Sequence, residues 1–157
     1  MADNAPTSLP TPDPAFRRLE RFVGTWNMRG RLLGSTGDNV TGEATFRWLP
    51  GGFFLEQTVS LNVNGLEIES LELIGYDAET DTFPSTVYAN VSPMPLPYRW
   101  SVDEQALTIS VSYGPLDATF EGRFSDDGDA FAGGWRPNPG ADESVNISYD
   151  IEGRRVG

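Results

Sequence analysis

The sequence predicts an all-β fold: one antiparallel up-and-down barrel of about ten strands, with a short N-terminal helix closing one end. Three observations predict it. Apolar and polar residues alternate with a period of two along most of the chain after Trp26, the pattern of strands with one face buried. Turn signals, among them Asn64-Gly65, Gly114-Pro115, Asp126-Asp127-Gly128 and Asn138-Pro139-Gly140, recur at short intervals. Only one stretch carries helical spacing, and it lies before the strands. Closing such a meander into a barrel also removes the exposed sheet edges.

The elements follow in order. Residues 1–13 carry Pro6, Pro10 and Pro12 among Ser, Thr and Asp and read as a disordered or extended Pro-rich arm; residues 14–157 form the barrel domain. Asp13-Pro14 is a helix start, with Asp as N-cap and Pro at the first helical position. Phe16, Leu19, Phe22 and Val23 follow at helical spacing, and Gly24 ends the pattern. The strands then offer an inward face: Trp26 and Met28; Ala44, Phe46 and Trp48; Phe53, Leu55, Gln57, Val59 and Leu61; Tyr98, Trp100 and Val102; Leu107, Ile109 and Val111; Ala118, Phe120, Gly122 and Phe124; Phe131, Gly133 and Trp135; and Val145, Ile147, Tyr149 and Ile151. All four tryptophans fall on it. From Leu66 to Asp77 the phase is ambiguous, with Ile68, Glu72 and Ile74 on one face and Leu71 and Leu73 on the other, and a bulge is one way to accommodate both.

Composition excludes more chemistry than any motif suggests. Among the 157 residues there is no Cys, no His and no Lys; all 11 basic residues are Arg. Without Cys there is no thiolate nucleophile, disulfide or sulfur-based zinc site. Without His the commonest general base and haem ligand are missing. Without Lys there is no Schiff-base chemistry. No metal and no cofactor are expected. The net charge of −12 opposes binding to nucleic acid and to anionic membranes. No apolar run approaches the ~20 residues of a membrane span, and Met1–Asp13 has neither the basic start nor the apolar stretch of a secretory signal. An acidic cytoplasmic protein is the expectation, with a homodimer left open.

Four ordered segments carry a family resemblance. They are Phe16-x-x-Leu19-x-x-Phe22-Val23-Gly24-Thr25-Trp26; Arg47-Trp48-Leu49-Pro50-Gly51-Gly52-Phe53-Phe54-Leu55-Glu56-Gln57; Ile74-Gly75-Tyr76-Asp77; and Ser125-Asp126-Asp127-Gly128 with Gly133-Gly134-Trp135. Together they resemble the DUF1579 group of uncharacterised bacterial lipocalin-like (calycin-type) barrels, over roughly residues 15–152. The resemblance implies a lipocalin/nitrobindin-like barrel whose base is plugged by Trp26, with Arg154 or Arg155 as the arginine stacked over that ring. It implies no activity. Nitrobindin-type barrels hold haem through a histidine, which this sequence lacks.

The candidate site is the inward face. Trp26, Phe46, Trp48, Trp100, Phe120 and Trp135 would line a pocket for a flat apolar ligand; each ring fits equally as core. Gln57, Glu72, Tyr88 and Asn90 are phased inward among apolar neighbours, where a buried polar group needs a partner, either another side chain, a water or a ligand. Two functions are compatible with this set. One is small-molecule binding in the lumen. The other is a cofactor-independent isomerase, cyclase or dehydratase, in which Glu72 or Tyr88 moves a proton and Gln57 or Asn90 holds a developing oxyanion. Asp126-Asp127-Gly128-Asp129 lacks the ligand spacing of a calcium loop and reads as a hairpin turn.

Overall fold

The computed structural model describes residues 8–157. Of the expected Pro-rich arm, residues 1–7 lie outside the described residues. Residues 8–13 carry no helix or strand.

The helix forms at the expected place, over Pro14–Phe22, and is of the 3-10 type. Asp13 caps it: its Oδ1 accepts from the Ala15 N–H at 2.8 Å, and Pro14 has no N–H to satisfy. Phe16, Leu19 and Phe22 are its buried stripe. The helix ends at Val23, so Gly24 opens the first strand instead of closing the helix. Gly24 has φ +127°, and the Arg155 guanidinium lies where a side chain would be. Only glycine accommodates both conditions.

Ten antiparallel strands follow: β1 (Gly24–Leu32), β2 (Val40–Trp48), β3 (Leu55–Val63), β4 (Leu66–Ile74), β5 (Phe83–Ala89), β6 (Leu96–Val102), β7 (Ala106–Tyr113), β8 (Leu116–Phe124), β9 (Ala130–Pro137) and β10 (Tyr149–Arg155). Each pairs with its sequence neighbour, and β10 pairs with β1 to close the barrel. The fold class expected from the sequence is the one observed.

Three local expectations are corrected. Phe53 is not in a strand. Gly51 and Gly52 turn with φ of +96° and +76°, and β3 begins at Leu55. Val145 and Ile147 alternate like a strand but are exposed in the loop before β10. That loop is pinned by buried Asn146, whose amide donates to the Pro115 and Asp142 carbonyls and whose Oδ1 accepts from Asp117 N–H; its backbone is therefore organised without a partner strand. Leu66–Ile74 contains no bulge. It pairs with β3 in unbroken register, Leu55 opposite Ile74 through Val63 opposite Leu66.

The barrel is sealed at the end that the helix covers. At the helix end, Leu19, Phe22, Trp26, Leu55, Ile74 and Phe83 are at most 1% exposed. Phe22 is the hub, with ring centroids 5.3 Å from Phe46, 5.4 Å from Trp100 and 5.0 Å from Phe124. Further up, small residues make room for large ones. A methyl on Gly133 would come within 2.6 Å of Phe120 Cζ, so the tip of that ring occupies the space a side chain there would need.

Candidate functional site

Register carries the inward set around the barrel. Gln57 pairs with Glu72 and Glu72 with Val87. Ser85 pairs with Tyr98, Phe120 with Trp135, and Trp135 with Tyr149. Glu72 therefore faces the lumen, which resolves the ambiguous phase of β4. Above the sealed floor, the inward-facing Met28, Gln57, Val59, Ser70, Ala89, Tyr98, Trp135 and Tyr149 are only half-buried. These inward positions are less completely buried than the floor beneath them, and Met28, Val59, Tyr98, Trp135 and Tyr149 pack against the core.

At the bottom of that space sits Glu72, 7% exposed. Its Oε2 accepts two hydrogen bonds, from Ser85 Oγ at 2.5 Å and from Trp100 Nε1 at 2.7 Å. Among the described residues its Oε1 has no partner, and every fully buried side-chain polar atom does have one; Oε1 is therefore the atom turned to the lumen. Burial raises the Glu72 pKa to about 7, while the Ser85 and Trp100 donors act in the opposite sense. Above Glu72 stand Tyr98 and Tyr149. Burial pushes the Tyr98 phenol up, helped by the nearby Glu72 charge, and pushes Tyr149 up to about 12. Both hydroxyls are therefore neutral near pH 7. The Tyr98 and Trp135 rings meet edge to face with centroids 5.9 Å apart, and Phe120 lies 5.7 Å from Trp135.

The expected site residues separate into three groups. Gln57, Glu72, Trp100, Phe120 and Trp135 surround the lumen above the sealed end or form its floor. Trp26, Phe46 and Trp48 belong to the closed end. Trp26 is fully buried and donates to the Phe22 carbonyl at 2.8 Å; Phe46 packs on Phe22; Trp48 bonds Glu20 at 2.7 Å and meets Phe16 edge-on. Tyr88 and Asn90 do not face inward, which corrects the expectation for both. The β4–β5 register places Leu71 opposite Tyr88 on the outer face, where Tyr88 is 48% exposed. Asn90 lies past β5 and caps the backbone of β4, accepting from Glu69 N–H and donating to the Glu67 carbonyl. Glu72 and Tyr88 consequently stand on opposite sides of the sheet and cannot share a substrate.

Ser85, Tyr98 and Tyr149 were missed as site residues. Tyr98 was legible, since it alternates with Trp100 on an inward strand. Ser85 was not. Phe83, Ser85 and Val87 alternate with Pro84, Thr86 and Tyr88, and neither set is clearly the apolar one until β4 fixes the register.

At the base, the Arg155 guanidinium carbon lies 4.3 Å from the Trp26 ring centroid. The profile of the family described as a protein of unknown function (DUF1579) matches residues 11–125. The chain belongs to the DUF1579 family. This member is also similar in fold to the crystal structure of Rv2717c from M. tuberculosis, with 12% identity and a TM-score of 0.58 over 93% of this chain and 99% of that one. At that identity the likeness concerns the barrel alone. Among curated proteins no sequence matches the chain. Of the two arginines that the calycin resemblance offered for the base, the DUF1579 barrel uses Arg155. Arg154 instead pairs with Glu152 at 2.6 Å on the outside.

Proposed function

We propose that the protein binds a small, largely apolar molecule in the lumen of its barrel, above the sealed end. One observation carries the reading. Inward-facing aromatic side chains from β6, β8, β9 and β10 share the lumen with several polar groups, the Gln57 amide, the Tyr98 and Tyr149 hydroxyls and Glu72 Oε1, that have no hydrogen-bond partner among the described residues. Apolar walls with a few convergent polar atoms are the general anatomy of a small-molecule site. Polar atoms left free in such a place are satisfied by water until a ligand replaces it.

The test is uptake of the neutral solvatochromic dye Nile red. We expect saturable blue-shifted emission with about one dye per chain. Val59→Trp, which fills the lumen from β3, abolishes it, and Tyr88→Ala on the outer face leaves it intact. Equal loss in both variants, or uptake unaffected by Val59→Trp, places any binding outside the barrel and refutes the reading.

A further inference from the structure

Glu72 is a buried carboxylate with hydrogen-bond donors but, among the described residues, no countercharge. The ion pairs of the described residues join Arg18, Arg29, Arg31, Arg47, Arg99, Arg136, Arg154 and Arg155 to other carboxylates, and none reaches Glu72. Neutral donors reduce the cost of burying a carboxylate, and an opposite charge reduces it much further. Both donors, Ser85 Oγ and Trp100 Nε1, converge on Oε2. Oε1, on an inward-facing side chain, is left as a bare acceptor that keeps some exposure.

What surrounds that acceptor also favours one kind of guest. The walls are ring faces and edges from Tyr98, Trp135, Tyr149 and Phe120, and aromatic faces attract cations. Among the described residues no arginine faces the lumen above the sealed end, so an anionic guest would meet a carboxylate and no positive charge. Outside, the net charge of −12 raises the local concentration of cations.

We infer that the lumen selects organic cations, a protonated amine on an apolar body, with the ammonium on Glu72 Oε1 and the body against Trp135, Tyr98 and Tyr149. This rests on the lumen being the binding site. The ammonium supplies the missing countercharge and donates to the free oxygen; the apolar body displaces water from the rings. A neutral guest of the same shape obtains only the second contribution. Because burial holds the Glu72 pKa near 7, binding of a cation drives proton release from Glu72, and affinity falls as pH drops below neutrality. The other groups facing Glu72 do not obscure this. Gln57 of β3, Ser85 of β5 and Trp100 of β6 do not titrate, and the phenols of Tyr98 and Tyr149 are held neutral by burial.

The experiment displaces lumen-bound Nile red with three probes of one shape: phenethylamine, phenethyl alcohol and phenylacetate. One charge-assisted hydrogen bond is worth about 1.5–3 kcal/mol, which is roughly 10- to 100-fold in midpoint. At pH 8 the amine should displace dye at least about tenfold more readily than the alcohol, and phenylacetate least readily. In Glu72→Gln the ratio of the alcohol midpoint to the amine midpoint should fall to about one, whatever the dye's own midpoint becomes. In the unmodified protein, lowering the pH to 5.5 should weaken the amine and leave the alcohol where it was, a readout that needs no variant. Equal displacement by all three probes, or an amine advantage that survives both Glu72→Gln and the low pH, overturns the cation assignment and leaves the lumen reading standing. Failure of Nile red to bind, with no change of tryptophan emission on adding any probe, removes the lumen reading and the cation assignment together.

Discussion

The Arg155 guanidinium lies over the Trp26 ring and donates to the carbonyls of Val23 and Arg21, each at 2.6 Å. Its Nε also faces Asp129 at 3.3 Å. One side chain from the last strand thus ties together the helix exit, the base tryptophan and the β8–β9 turn. The carbonyls it satisfies lie where the chain passes from helix to strand and has no regular partner.

Arg155→Ala is expected to lower unfolding free energy by about 2–4 kcal/mol, through loss of charge-assisted hydrogen bonds and of the cation–π contact. Arg155→Lys should recover only part of it, since one ammonium cannot reach both carbonyls and cover the ring. Urea unfolding followed by tryptophan emission measures both. A cost for Arg155→Ala below that of an exposed surface substitution would show the contacts to be incidental.

Glu72 gives the stability a pH dependence of unusual sign. Its pKa is about 7 in the folded barrel and near the ordinary carboxylate value when unfolded. Between those values the folded state holds the proton more tightly, so the contribution is full below about pH 4.5 and is lost as pH rises through 7. Its size is on the order of 3 kcal/mol. The difference in stability between Glu72→Gln and the unmodified protein should therefore grow in favour of the variant from pH 5 to pH 8. A difference that stays flat across that range would mean that Glu72 titrates at an ordinary pKa.

Gly153 tests how tightly the aromatic layer is fitted. A methyl there would lie 2.5 Å from Phe131 Cζ, inside contact distance. Gly153→Ala should destabilise by about 1–3 kcal/mol. Combined with Phe131→Leu, which opens the space, the added cost should shrink markedly, a non-additivity read from a double-mutant cycle. Strict additivity would place the strain elsewhere.

Haem is the ligand that the nitrobindin resemblance would suggest, and the side chains present argue against it. With no His or Cys in the chain, the inward tyrosines are the strongest donors left, and burial holds both phenols protonated, whereas iron takes a phenolate. Haemin titrated into the protein should give no sharp one-to-one Soret shift. A defined complex would be overturning evidence, and Tyr98→Phe would then identify the ligand.

The sequence alone determined the barrel, the helix that plugs it and the rings that fill its base. Those features depend on local physics: period-two alternation, an Asp-Pro helix start, glycine turns, and aromatic residues too large to leave in water. Tertiary structure decided which polar residues meet. The sequence phases both Glu72 and Tyr88 inward, Glu72 with the more ambiguous phase, because each strand has two faces and a one-residue shift exchanges them. The pairing of Glu72 with Gln57 and Val87 turned one inward and sent Tyr88 out. Likewise, no local rule favours Arg155 over Arg154. Their alternation puts one on each face, and only closure of β10 onto β1, with Arg155 opposite Trp26, selects the one that covers the base.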